Sequence, residues 1–357
     1  MTTEDIVEVE AAALEDLVQR LFGALGLADD ACRRVAGALV DADREGKASH
    51  GVMMVPLYVE RIRAGSVSTL TAARMVQDSG AVVVMDAEHA LGQLTAEQAM
   101  ATATERALRH GVAAVAVRHA FHFGAASRYA LAAAEQGCIG VAMCNTRPLM
   151  PAPGGAEALV GNNPVAIALP STDEPPVVVD MALSEVAMGK IRLAQAAGSE
   201  IPANWATDAD GVPTTDPAAA IAGMLLPAAG PKGFGLAFMI DLLCGALSSG
   251  GWGAGVTPLF GDRSVPYDCA HFFLALNVAS FRAVGDFQAE VAAAAARVRA
   301  SAAAPGVARV YSPGELEWQR RADNRQAGDI ISLPHTVAAS LRDVASSLQV
   351  SAAVLES

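Results

Sequence analysis

The sequence predicts an α/β protein with helical ends and a middle built on buried strands. Three observations carry that prediction. Apolar residues recur at helical spacing before residue 80, short uninterrupted apolar runs replace them from Ala81, and helical spacing returns in the tail.

In the first region, 14–25 and 31–40 place apolar residues at i, i+3, i+4 and i+7, with Asp29 or Asp30 as an N-cap. A third helix is expected over 52–64, ending at Gly65, with Pro56 tolerated near its start. His50 just before it, then Met54, Tyr58 and Arg61, follow at three- to four-residue intervals and share one face. The runs 82–85, 112–117, 139–143, 165–169 and 177–179 read as buried strands, with helices over 95–109 and 125–135 between some of them. The stretch 198–227, rich in Ala, Asp, Pro and Thr, reads as a long connection, a kind that is often functional. A buried helix over 235–247 and a strand over 272–276 precede tail helices over 288–303, 315–325 and 337–348. The chain thus divides into a helical part (1–78), an α/β domain (79–304) and C-terminal helices (305–357) returning to the helical part.

Composition narrows the class. With 357 residues, 52% apolar and 18% charged, the chain buries a large core. A net charge of −13 and the lack of any basic tract argue against a nucleic-acid partner. No apolar run reaches the length of a membrane span, and the acidic Met1-Thr2-Thr3-Glu4-Asp5 start lacks the regions of a signal peptide. The cysteines, Cys32, Cys138, Cys144, Cys244 and Cys269, form no CxxC pair, so reduced, buried thiols in a cytoplasmic protein are expected, with neither zinc site nor disulfide framework.

Four segments carry the chemistry: Ser49-His50-Gly51, His122-Phe123-Gly124, Asp180-Met181-Ala182 with Ser184, and Pro231-Lys232-Gly233. Ser49 before a helix is an ordinary N-cap. Reduction of C=O or C=N by hydride also needs a proton at the heteroatom, and a histidine such as His50 delivers one near neutral pH. His122 lies between a strand end and a helix start, where α/β sheets bind ligands. Lysine occurs only at Lys47, Lys190 and Lys232, while arginine is plentiful, so each lysine is a candidate for a specific task. Lys232 at a helix N-terminus is a sensible phosphate contact, and Lys190 follows the third segment. No GxGxxG links a strand to a helix, and the glycines of 250–255 follow a helix and read as a turn. Pro313-Gly314-Glu315 opens a later helix.

Together with Asn145-Thr146, Gly161-Asn162-Asn163-Pro164 and the stretch around Asp208, these segments resemble the malate/L-lactate dehydrogenase-like family of NAD(P)-dependent oxidoreductases over nearly the whole chain. That family includes ureidoglycolate, sulfolactate and cyclic imine-2-carboxylate enzymes. The resemblance implies a mixed, non-Rossmann sheet that binds NADH or NADPH, and a helical domain made from both chain ends. It implies a homodimer and a small-molecule substrate. It makes Ser49, His50 and His122 catalytic. It assigns His122, Phe123, Gly124, Asp180, Met181, Ala182, Ser184, Lys190, Pro231, Lys232, Pro313, Gly314 and Glu315 to the cofactor, and Met54, Tyr58, Asn162, Met188 and Gly189 to the substrate.

The chain departs from the family where a substrate carboxylate is handled. An arginine one turn after the Ser-His pair is Met54, a threonine is Asn162, and the Arg-Gly pair after Asp-Met-Ala is Met188-Gly189. The usual Arg-Gly-x-Asp ahead of Ser-His is Glu45-Gly46-Lys47-Ala48. Methionine cannot replace the bidentate contact of an arginine. The expectation is a less cationic pocket that takes an unusual substrate, or one in which Arg147 or Lys190 supplies the cation. The alternative is a catalytically silent member with a structural or regulatory role.

Overall fold

The computed structural model describes residues 6–172 and 176–356. The chain opens with strand β1 (Ile6–Glu10) and helices α1 (Ala11–Gly23), α2 (Asp29–Arg44) and α3 (Val55–Arg63). Next come β2 (Arg74–Asp78), β3 (Val82–Asp86), α4 (Gly92–His110), β4 (Val112–Ala120), α5 (Ser127–Ala134) and β5 (Cys138–Cys144). They are followed by β6 (Val165–Leu169), β7 (Val177–Met181), α6 (Met188–Ala196), α7 (Pro217–Ala222), α8 (Pro231–Asp241) and β8 (Cys269–Asn277). Helices α9 (Val284–Arg299) and α10 (Glu315–Gln326), strand β9 (Ile330–Pro334) and helix α11 (His335–Ser347) complete the chain.

The central sheet has seven strands in the order β2-β3-β4-β8-β5-β6-β7. Only β3 and β4 run parallel, so the sheet is mixed. One face is covered throughout its middle and the other in part, leaving Ile167 of β6 and Val179 of β7 40% and 36% exposed. Leu94, Met100 and Ala103 of α4 and Tyr129 and Ala133 of α5 pack with Val115, Ala142 and Phe273 on one face. Ala237 and Ile240 of α8 pack with Phe272 and Ala270 on the other. Along β8 the faces alternate with the period of two that a pleated strand imposes.

The chain ends meet. β1 pairs antiparallel with β9, placing Ile6 opposite Pro334, and Leu341 of α11 shares a core with Leu17 of α1, Leu39 of α2 and Tyr58 of α3. That core runs without a break into the α4 and α5 face of the sheet.

Several expectations need correction. Neither Asp29 nor Asp30 caps α2: both lie in its first turn, where carboxylates favour the helix dipole, and Ala28 holds the cap position. The helix expected over 52–64 is a 3₁₀ turn, Val52–Met54, running into α3. The connection 198–227 contains α7 and a two-stranded pair, Ala206–Thr207 with Met224–Leu225. The expected buried helix is α8 continued by a π turn, Leu242–Ala246, and it exposes Leu236, Phe238, Met239 and Leu247. Strands β1, β2 and β9 have no counterpart in the expected elements. All five cysteines are free and buried, and no helix among the described residues is long and apolar enough to cross a membrane.

Candidate active site

Ser49 and His50 occupy a single 3₁₀ turn, Ala48–His50, after α2. The turn is fastened by Asp43, whose carboxylate accepts from the Val52 backbone N–H at 2.8 Å. Gly51 is required beside it, because a Cβ there would stand 2.0 Å from Asp43 Oδ1. Burial pushes the Asp43 carboxyl up to about 7 against the pull of that N–H. Ser49 caps no helix. Its Oγ instead lies 2.9 Å from His50 Nδ1.

The imidazoles of His50 and His122 stack with centroids 5.5 Å apart. His122 follows β4, where Gly92 at the start of α4 allows a close approach: a Cβ on it would lie 2.5 Å from the His122 carbonyl oxygen. The Tyr58 hydroxyl lies 2.6 Å from His122 Nδ1 and accepts a hydrogen bond from Gln93 Nε2 at 3.1 Å. With Gln93 donating to it, the phenol directs its own O–H to Nδ1, which leaves the ring proton of neutral His122 on Nε2. Behind the site, fully buried His271 of β8 stacks on Phe123 at 4.6 Å. Burial, reinforced by His50 and His271, holds His122 down at about 3, and burial does the same to His271. His50 is lowered by burial, with Asp180 opposing the shift and Lys47 adding to it.

Lys47 is the lysine that the fold brings into the site. Its Nζ donates to Ser127 Oγ at 2.8 Å and pairs with Glu45 at 3.0 Å and Asp180 at 3.4 Å. Burial works against its charge, but the Asp180 and Glu45 carboxylates outweigh it and raise its pKa. Asp180 also accepts the Ser127 backbone N–H at 3.1 Å, capping α5 from a neighbouring strand. The pairing continues around the rim. Arg321 lies 3.5 Å from Glu45 and 3.2 Å from Asp41, and Arg128 lies 3.0 Å from Asp41 and 3.2 Å from Glu97.

Two cavities open along this rim. The first, of 430 Å³, is lined by Lys47, Ser127, Asp180, Pro313, Gly314 and Trp318 among others. The second, of 370 Å³, is lined by His50, Gln93, Thr104, Phe123, Gly124 and Arg128 among others. They share Glu45, Leu131, Glu135 and Arg321 and so adjoin along a common wall of the cleft.

The fold therefore gathers Ser49, His50, His122, Phe123, Gly124, Asp180, Pro313 and Gly314. Other expected residues sit elsewhere. Met54 is 2% exposed within the main core and lines neither cavity. Fully buried Tyr58 lines neither cavity and meets the site through His122 and Gln93. Glu315 accepts from Ser312 N at 2.8 Å and pairs with Arg309, anchoring the start of α10 and standing off the cavity wall. Asn162 accepts from Thr146 Oγ1 at 2.9 Å. Met188, Gly189 and Lys190 begin α6, and Pro231 and exposed Lys232 begin α8, away from both cavities. Met181 and Ala182 continue from Asp180, and Ser184 bridges to Pro227 just ahead of α8, so the third and fourth segments are laced together. Arg147 is exposed and Arg61 is locked to the Pro258, Leu259 and Val265 carbonyls, so neither cation enters the cleft. Sequence reasoning missed Asp43, Lys47, Gln93 and His271. Lysine scarcity pointed to Lys47 as strongly as to Lys190 and Lys232, whereas nothing local marks Gln93.

The residues at the cleft suit a dinucleotide. Leu131, Leu169, Val178 and Trp318 offer an apolar wall for a flat ring, and Arg321 Nε, on the wall common to both cavities, is buried without a partner among the described residues.

Residues 9–342 match the malate/L-lactate dehydrogenase family. The chain is 35% identical over 309 residues to ureidoglycolate dehydrogenase (NAD+) of Escherichia coli K12, covering 87% of this chain and 88% of that one. It is 38% identical over 271 residues to (2R)-3-sulfolactate dehydrogenase (NADP+) of Chromohalobacter salexigens, covering 75% and 80% of the two. The solved sulfolactate dehydrogenase of Methanocaldococcus jannaschii superposes with a TM-score of 0.92 at 30% identity, over 98% of this chain and 100% of that one. The chain belongs to the malate/L-lactate dehydrogenase family.

Proposed function

We propose that this oxidoreductase moves a hydride between NADH or NADPH and the C=O or C=N carbon of a small metabolite, with His50 handling the accompanying proton. The observation that carries this reading is the half-buried His50 on the cleft wall, 2.9 Å from Ser49 Oγ and stacked on His122. His50 is the better acid of the two. His122, held near 3, stays neutral at working pH and serves to position its neighbour through the Tyr58 and Gln93 chain. When bound, the nicotinamide supplies the hydride. Asp180, Pro313 and Gly314 would hold the cofactor from the first cavity, and exposed Lys232 at the start of α8 suits a phosphate.

Met181 on β7 and Leu236, Phe238 and Met239 on α8 are 44–54% exposed, an apolar patch suited to a second copy of the chain. A homodimer in which the α6 and α8 segments of one subunit complete the cleft of the other would account for Lys190 and Lys232 lying off both cavities. The intact Ser49, His50, His122 and Tyr58 constellation favours catalysis over a silent role.

The test is NADH and NADPH oxidation against 2-oxo acids, their amides, and cyclic imines with and without a carboxylate. His50→Ala should lower kcat by roughly 10²–10⁴-fold, as loss of a general acid does, with cofactor fluorescence still reporting binding. Unchanged kcat in that variant would remove His50 from the mechanism.

A further inference from the structure

We propose that Asp43 positions His50 for proton transfer: its carboxylate grips the backbone of Gly51 and Val52 and so fixes the turn that carries the imidazole. This rests on the reading of His50 as the group that handles the proton. It adds a residue that lines neither cavity and acts only through its neighbour.

Two short turns meet at Gly51, each closed by its own bonds from residue i+3 to residue i. His50 N–H donates to Lys47 O at 2.8 Å and Gly51 N–H to Ala48 O at 3.0 Å, while Met54 N–H donates to Gly51 O at 3.0 Å. Gly51 stands at the N-cap of the second turn and has no side chain with which to cap it. Asp43 supplies the acceptor from the end of α2. Its Oδ2 takes the Val52 N–H at 2.8 Å, the part that an Asp side chain plays at an N-cap. Val52 is fully buried, so its N–H cannot turn to water instead.

Gly51 is itself a mark of the grip. Its φ of −89° and ψ of −155° are extended backbone, open to any residue. What excludes a side chain is contact: a Cβ would lie 2.0 Å from Oδ1, 2.3 Å from Cγ and 2.4 Å from Oδ2 of Asp43. The carboxyl therefore packs directly on Gly51, one residue from His50. The helix end that carries Asp43 is anchored in turn. Arg44 donates to the two oxygens of Asp329, each at 2.8 Å, to Glu15 at 2.8 Å and to Asp41 at 2.9 Å, tying α2 to α1 and to the residue before β9. Neutral or ionised, the Asp43 carboxyl offers an oxygen to Val52, so the grip outlasts its titration.

The experiment measures kcat and the cofactor KM with the best substrate of the panel above, together with hydrogen exchange at the Val52 amide. Asp43→Ala should lower kcat about tenfold or more and leave the cofactor KM within about twofold, because a small displacement of a reacting group costs rate without costing binding. Asp43→Asn keeps an acceptor oxygen and should recover most of the loss. Gly51→Ala should reproduce the loss, and Asp43→Ala/Gly51→Ala should be no slower than Gly51→Ala alone, since both changes break one contact. Val52 exchange should quicken in Asp43→Ala and stay slow in Asp43→Asn. An unchanged kcat or unchanged Val52 exchange in Asp43→Ala, no recovery in Asp43→Asn, or losses that add in the double variant overturns the positioning role. His50→Ala in the same assay separates the two readings. If it lowers kcat while Asp43→Ala does not, only the role of Asp43 falls, and if it leaves kcat unchanged, the proton reading of His50 falls with it.

Discussion

Lys47 shows how one residue couples the cleft. It links Glu45, Asp180 and Ser127, and through Asp180 the start of α5. Replacing it by Met would leave two partly buried carboxylates without their shared cation, a loss of about 1–3 kcal/mol. Its charge also holds His50 down while Asp180 pulls the other way, so Lys47→Met should raise the apparent pKa of His50. A pH–rate profile of reduction by the variant checks this: the alkaline limb, where His50 loses its proton, should move up, and a limb that shifts downward contradicts it. The residues ahead of Ser49 showed in the sequence that the local charge pattern had been rearranged. That Lys47 ends between two carboxylates depends on β7 arriving beside α5, which no local pattern encodes.

At the scale of elements, α8 is the informative departure. Its apolar run reads as a buried helix, yet only Gly233, Ala237, Ile240 and Asp241 are buried. Periodicity reports that a face is apolar and is silent on whether its cover comes from the same chain or a second copy. If the proposed homodimer packs through α8, Met239→Glu, placed where the side chain is 54% exposed, should leave the fold intact and shift the protein from dimer to monomer in light scattering. A dimer that persists would place the interface elsewhere. If α8 completes a neighbouring cleft, the same variant also loses cofactor affinity. The strands β3 to β8 of the central sheet were legible because their apolar runs are unbroken. β2 was not, since as an edge strand it exposes most of Arg74–Asp78.

Across the whole molecule, the buried imidazoles set the response to acid. His122 and His271 titrate at about 3 in the folded protein, against an ordinary value of 6.5. Both states are neutral above 6.5. As pH falls below it the unfolded chain binds protons that the fold refuses, so stability is lost from 6.5 down towards 3. Asp43, raised from 3.8 to about 7, acts in the opposite sense and loses stability as pH rises through that window. Two histidines outweigh one carboxyl, so Tm should fall on acidification from about pH 6.5. His271→Leu should flatten that slope, and an unchanged slope would show that His271 does not contribute to it.

The sequence alone determined the helical ends and most of the central strands, because the periods of 3.6 and 2 are properties of local backbone geometry, while β1, β2, β9, α6 and α7 left no such signal. It also determined the family, since the Ser-His-Gly, His-Phe-Gly, Asp-Met-Ala and Pro-Lys-Gly segments keep their order along the chain. Only the tertiary structure decided which lysine enters the cleft, that Tyr58 holds His122 and does not line the cavity, and that Gln93 reaches the Tyr58 hydroxyl. These contacts join residues from 35 to 133 positions apart. Distances of that kind are set by how sheet and helices pack, and no periodicity within a single segment records them.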